Sequence, residues 1–322
     1  MRASLLLAAG IQLAASSAWA ADAYPAKVVR VVVSFAPGGA ADFIARLMAP
    51  QLSDQMGKPF VVENRAGASG AIGADLVAKA APDGHTLLLA ESGLTIIAGL
   101  AKTLPFDVLK DFTPVTQITR SAQVLVVSPT LNVGTLKAFI ALAQANPSKL
   151  NYGSAGNGSP NHLATELFKI AARAPVTHIP FKGSGLATAA LLGNQVQVQL
   201  TTISTVLPHI NSGKARALAV TTDGKRSPAL PDVPSFSEAG YPDLSSVYTW
   251  AGLAGPGGLP RDIANRLHVE VVKALQVPAL RDRYVAEGAE PLGSNPEDFN
   301  KYWRNEVRLW GEVIKTAGIT TD

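Results

Sequence analysis

The strongest constraint on the fold of this chain is an alternation of short, apolar, β-rich runs with segments of helical length. Residues 28–34, 60–63, 86–90, 123–127, 176–179, 196–200 and 215–221 read as strands, several of them nearly continuous in apolar residues, as strands buried on both faces are. Between most of them lie helix-length segments, including 135–145, 161–171 and 185–192. Parallel neighbours need a long crossover, and a helix supplies it, so this order predicts α/β architecture built on largely parallel sheets.

The last quarter is predominantly helical. Pro260 sits at a first-turn position, and Ile263, Leu267, Val271 and Leu275 recur every four residues until Pro278 stops the run. A second helix starts at Asn295-Pro296-Glu297, aligns Phe299, Trp303, Val307, Trp310 and Ile314 on one buried stripe, and ends near Gly318. Pro50 interrupts the helix expected over 42–56 and predicts a kink or an early end there. Residues 228–234 and 252–260, rich in Pro and Gly, read as loops too short to be flexible tethers.

The N-terminus follows a different order: Met1-Arg2, an apolar stretch over 5–15, then small residues ending Ala18-Trp19-Ala20. This is the layout of a secretory signal cleaved after Ala20, and its apolar part is about half of what a bilayer crossing needs. The exported remainder of about 300 residues exceeds what one hydrophobic core commonly serves, which predicts two domains. A chain that leaves the first lobe near residue 125 and returns near 248 crosses twice, the connectivity of a hinge. The expected division is a signal over 1–20, a first lobe over 21–125, a second lobe over 126–247 and a mainly helical return to the first lobe over 248–322.

Composition narrows the function classes. Losing Arg2 with the signal lowers the net charge from +4 to +3, with the charges interspersed, so no nucleic-acid footprint is present. Cysteine is absent, which excludes disulfides, thiolate nucleophiles and Cys-based metal sites together.

The chemistry concentrates in two glycine-rich turns, each following a strand and opening a helix. The first is Phe35-Ala36-Pro37-Gly38-Gly39-Ala40-Ala41-Asp42; the second runs Gly153-Ser154-Ala155-Gly156-Asn157-Gly158-Ser159-Pro160-Asn161-His162. Glycines permit backbone conformations closed to other residues and leave N–H groups able to face an anion. Two helix N-termini facing each other across a cleft would grip a carboxylate without Arg or Lys. Neither turn matches a phosphate-binding P-loop or a GxGxxG dinucleotide fingerprint, and residues 67–73 have the spacing GxxGxxG. A hydrolase would need a nucleophile, a base and an oxyanion donor, and there is no GxSxG elbow, no Cys and no HExxH. His162 and Glu166 are four apart on one helix face with no third ligand nearby, so no metal is expected.

Several segments together resemble the tripartite tricarboxylate transporter receptors, also called the Bug family. They are Tyr24-Pro25, residues 35–42 with Ala45-Arg46, Val62-Glu63-Asn64-Arg65-Ala66-Gly67, Ala78-Lys79-Ala80-Ala81-Pro82-Asp83-Gly84, Asp111-Phe112-Thr113-Pro114-Val115, residues 156–162, His178-Ile179-Pro180-Phe181-Lys182-Gly183, Arg216-Ala217-Leu218-Ala219-Val220 and Leu230-Pro231-Asp232-Val233-Pro234. The resemblance implies a type II periplasmic binding-protein fold, two doubly wound α/β lobes with a ligand cleft between them. It implies a periplasmic receptor for a small organic carboxylate, held partly through ordered water; a monomer without cofactor or catalysis is expected. It also implies a partner, a membrane transporter of one large and one small subunit. Presentation of the closed form to a membrane sensor is the alternative output.

Carried over position by position, the resemblance implies ligand contacts from Phe35, Gly38, Gly39, Ala40 and Asp42 in the first turn. The second turn supplies Ser154, Gly156, Asn157, Gly158, Ser159 and His162. Ser92, at the rim of the first lobe, and Thr201, Thr202 and Ser204, opposite it, would tune selectivity. Asp42 could meet a ligand amine or a bridging water, or cap its own helix. His162 could donate to ligand or brace the turn. Glu91 departs from the smaller or hydroxyl residues usual there in the family: facing the cleft it would repel a second carboxylate and favour a ligand amine or hydroxyl, and facing away it is a surface charge.

Overall fold

The computed structural model describes residues 24–320 apart from 36, 102, 148 and 246. The expected signal over 1–20 and its cleavage point lie outside the described residues. Among those described, no helix is long and apolar enough to cross a membrane.

In chain order the elements are β1 (Val29–Val33), α1 (Ala40–Met56), β2 (Phe60–Asn64), α2 (Ala71–Ala78), β3 (Thr86–Glu91), α3 (Ser92–Leu100) and β4 (Phe112–Val127). There follow α4 (Leu136–Ala145), β5 (Asn151–Ser154), α5 (Pro160–Ala172), β6 (Thr177–Pro180), α6 (Ser184–Leu192), β7 (Val198–Thr202), α7 (Ile203–Asn211) and β8 (Arg216–Val220). The chain closes with β9 (Tyr248–Pro256), α8 (Arg261–Leu275), α9 (Pro278–Ala286), β10 (Glu290–Pro291) and α10 (Pro296–Ala317).

Two α/β lobes share one strand. Residues 112–122 of β4 pair antiparallel with β9, which pairs antiparallel with β3, and β1 lies parallel between β3 and β2. Residues 123–127 of β4 pair antiparallel with β7 and, from 124, with β8, while β5 lies parallel to both β7 and β6. The sheet order is therefore β2-β1-β3-β9-β4-β7-β5-β6, with β8 and β10 as further partners of β4. The sheet is mixed rather than largely parallel, because β4 and β9 run against their neighbours.

Four differences from the sequence reading have local causes. β4 extends eleven residues upstream of the expected 123–127, because 112–122, which lacks a continuous apolar run, is held as a strand by pairing with β9. Residues 252–256, read as loop, form the second half of β9. A Cβ at Gly252 would lie 2.5 Å from the Phe299 ring and 2.8 Å from the Thr116 carbonyl, so the glycine is there to let α10 lie against the strand. Pro50 sits inside α1, which does not end there; Met48, Ala49, Leu52 and Met56 are buried in the first lobe's core, and that packing outweighs the missing N–H. Pro278 stops α8 as expected but also opens α9 at its first position.

Strand alternation distributes the core. Leu87 and Leu89 of β3 pack with α1 and α8, while Leu88 and Ala90 pack with α2 and α10. In the second lobe Leu125 and Val127 pack with α4 and α5, and Val124 and Val126 with α6 and α7. The helix α10 belongs to both cores: Phe299 and Trp303 pack in the first lobe, Trp310, Val313 and Ile314 in the second. Midway, Glu306 accepts the indole N–H of Trp250 at 3.0 Å and of Trp310 at 2.9 Å. The aromatic stripe read from the sequence is thus core, with Val307 only half-buried.

Candidate functional site

Strand register sets both glycine-rich turns at carboxyl ends of strands that face the crossover of β4. Glu91, the end of β3, pairs with Ala251, which pairs with Thr119 of β4, and Thr202, the end of β7, pairs with Gln123 of β4. Since β1 is parallel to β3 and β5 to β7, the carboxyl ends of strands in both lobes point at residues 119–123, where β4 passes from one lobe to the other. A crevice outside the carboxyl ends of parallel strands is where open α/β sheets hold ligands.

The first turn is built around Asp42. Its buried carboxylate accepts from the Gly38 amide at 3.0 Å, from Arg46 Nε at 2.9 Å and from Asn64 Nδ2 at 2.9 Å, and Asn64 also donates to the Phe35 carbonyl. Burial alone would raise the Asp42 pKa, but these hydrogen bonds, from Arg46 above all, hold the carboxyl below its ordinary range. Asp42 does not cap α1, whose N-cap Gly39 has no side-chain partner; its carboxylate instead braces the turn. Gly38 has φ +87°, a conformation closed to most residues, and Gly39 precedes α1 without any side-chain cap, so the first amides of that helix are not covered by the chain's own side chains. Ala40 is the first residue of α1, and the Phe35 ring, 38% exposed, rests against Gly70.

The second turn satisfies more of its own amides. The Gly156 amide donates to Ser154 Oγ at 3.1 Å, the Gly158 amide to His162 Nδ1 at 3.0 Å, and the His162 amide to Ser159 Oγ at 3.3 Å. His162 thereby braces the loop. Gly156 and Gly158 have φ of +130° and +72°, and a side chain at Gly158 would run into Leu100 of α3, so this turn abuts the first lobe. Asn157 sits between these glycines with an exposed side chain.

Beneath the turn lies a stack of rings that the sequence reading did not assign. His178 stacks on His162 with centroids 3.9 Å apart and on Tyr152 at 4.8 Å, and its Nε2 lies 2.6 Å from Ser154 Oγ. Burial, then the neighbouring His162 and Lys169, push the His178 pKa down to about 3, and burial also lowers that of His162. Both imidazoles are therefore neutral at physiological pH. Tyr152 donates to Glu166 at 2.5 Å, and Lys169 donates to the same oxygen at 2.8 Å, so Glu166 belongs to this support. His178 was visible in the segment His178 to Gly183 but was given no role; Arg46 was visible as the i+4 partner of Asp42.

The rim residues part company. Ser92 is buried at the first position of α3, and Thr202 precedes α7 with its hydroxyl 2.7 Å from that of Thr205. Thr201 points to the other face of β7, fully buried and with its hydroxyl unpaired. Ser204 packs against the turn before β10, where a Cβ at Gly288 would lie 2.7 Å from its own. A cavity of about 860 Å³ opens beside the crossover, between Arg120, Tyr248, the 222–229 loop and the segment from α8 to β10; none of the expected ligand residues lines it. At its edge Arg120 joins the lobes, bonding Glu290 at 2.8 Å and Asp223 at 2.7 Å over the Tyr248 ring.

Comparison with known proteins places this geometry. Residues 44–319 match the profile of the tripartite tricarboxylate transporter family receptor. The chain is 38% identical over 300 residues to protein BugT of Bordetella pertussis, covering 92% of this chain and 91% of BugT. Among solved structures it is similar to R. palustris Rpa4515 with adipate, at 36% identity and a TM-score of 0.77 over 92% of this chain and 99% of that one. It is also similar to MatC from Rhodopseudomonas palustris with bound malate, at 33% identity and a TM-score of 0.74 over 90% of this chain and 100% of that one. A match of this length and order assigns the protein: it belongs to the tripartite tricarboxylate transporter receptor family, whose members are solute-binding receptors and not enzymes.

Proposed function

We propose that this protein is a periplasmic receptor that closes its lobes on a small carboxylate-bearing solute and hands it to a membrane transporter of one large and one small subunit. The observation that carries the reading is the convergence of strand ends from both lobes on residues 119–123, with the uncapped N-terminus of α1 among them. Relatives solved with adipate and malate support a carboxylate as the recognised group. In this reading the ligand lies between residues 38–42 and 154–159, with Ser92 and Thr202 at the rim. Residues 21–125 and 248–322 move as one lobe against 126–247, after removal of a signal over 1–20, and the receptor works as a monomer.

The ligand can shift an open–closed equilibrium only through contacts it makes solely in the closed form. A site shared between the lobes supplies such contacts; a site on one lobe does not. The test is a thermal-shift panel of mono- and dicarboxylates, malate and adipate included, beside their methyl esters. A ligand at a hundred times its Kd should stabilise by about 2.7 kcal/mol, and its ester should not. Gly39→Val examines the first turn, because φ −82° and ψ 172° suit valine and the fold should survive while the added methyl groups cover the amides. An unchanged ligand-induced shift in that variant would remove the first turn from the site.

A further inference from the structure

Glu91 is the last residue of β3 and immediately precedes α3. In the parallel register of β1 and β3, Val33 lies opposite Leu89, so Glu91 is level with Phe35, where the first glycine-rich turn begins. Its backbone is extended, with φ −143° and ψ 169°, so alternation places its side chain on the same face as Leu87 and Leu89, the face covered by α1. Although it occupies the N-cap position of α3, it makes no capping bond. The side chain is half-buried, and no hydrogen bond or ion pair reaches its carboxyl among the described residues.

Several charged groups on the elements around it are engaged elsewhere. In α1 Asp42 holds Arg46; on β2 Glu63 holds Arg30 and Arg65; in α2 Asp75 holds Lys79. On β4 Arg120 is held by Glu290 and Asp223, and on α10 Glu306 takes the two indole N–H groups. Burial without a cation pushes the Glu91 carboxyl up to about 7. An acid at the mouth of a carboxylate site, with no internal partner, opposes an anionic ligand unless the ligand brings its own positive charge.

We propose that Glu91 is the specificity residue of this receptor: it accepts hydrogen bonds from a ligand ammonium, so the preferred solute is an amino acid or other amine-bearing carboxylate. The inference rests on the carboxylate-receptor reading above and narrows its substrate class. An ammonium beside Glu91 would favour its ionised form, so binding should expel the proton the free protein holds. At pH 7 a carboxyl titrating near 7 is half protonated, and binding should release about half a proton. An amine-free acid would instead draw a proton in.

The test is isothermal titration calorimetry at pH 7 in two buffers of different ionisation enthalpy. Probes are pairs of one skeleton with and without the amine: aspartate and succinate, glutamate and glutarate, 4-aminobutyrate and butyrate. The expected result is at least a tenfold preference for one amine-bearing member, with proton release, both lost in Glu91→Gln. Equal or tighter binding of the amine-free acid in every pair overturns the proposal, as does a preference that survives in Glu91→Gln. Should the glutamine variant not fold, the wild type decides alone, and proton uptake or no exchange on binding the amine overturns it. Binding of amine-free acids but not of their esters would leave the carboxylate receptor standing without this residue's role; failure of every acid in the panel to bind would end the receptor reading itself.

Discussion

Replacing Asp42 with asparagine isolates what one carboxylate does for the first turn. Its three partners, the Gly38 amide, Arg46 Nε and Asn64 Nδ2, are all donors. Asparagine has the same shape but only one acceptor oxygen, so whichever way the amide turns, its NH₂ group meets a donor. The variant loses a charge-assisted bond and leaves at least one donor unsatisfied, each an effect of about 1.5 to 3 kcal/mol. Arg46 is 53% exposed and the carboxylate is covered by its own turn close to the surface, so water recovers part of both. A net loss of about 2 kcal/mol remains, or about 4 °C in Tm for a chain of this size. The pH dependence has a definite sign. The folded pKa lies below the unfolded value of about 3.9, so the contribution is fully present above that value and is lost as pH falls through the folded pKa. Urea denaturation of both proteins should show a constant gap from pH 5 to 8 that narrows below pH 4. A gap under about 0.5 kcal/mol at pH 7, or one that widens on acidification, would refute the account of the turn.

His178 and His162 predict an acid limb. Their folded pKa values are depressed relative to the unfolded value near 6.5, so only the unfolded chain takes protons as pH falls below that, and stability is lost. At pH 5 His178 alone should cost about 2 kcal/mol relative to pH 7, and His178→Gln should flatten the slope of stability between pH 6 and 4.5 by about one proton; an unchanged slope contradicts the neutral stack. Trp310→Ala removes a side chain that is 1% exposed and lies in the second lobe's core, and should cost about 3 to 5 kcal/mol. A loss below about 2 kcal/mol in the same denaturation assay would show that α10 does not tie the lobes together.

Local signals in the sequence carried much of the outline. Asn295 before Pro296 and Gly318 after Ala317 marked both ends of α10, and the observed helix keeps them, with Asn295 accepting from the Asp298 amide and Gly318 in the left-handed conformation. The strand-turn-helix pattern located both glycine-rich turns, because glycine, proline and cap residues act within a turn or two of where they stand. Tertiary structure alone decided what those turns face. That depends on pairings such as Arg120 with Trp250 and Gln123 with Thr202, between residues far apart in the chain, which no local pattern encodes. The same holds for Gly252, which reads as a loop residue until Phe299 is laid across it, and for Pro50, tolerated because α1 is pressed onto a sheet. His178 became part of the turn's support only when β6 was set beside β5. Composition and punctuation act over a few residues, whereas the cleft is made where segments a hundred residues apart are paired through one shared strand.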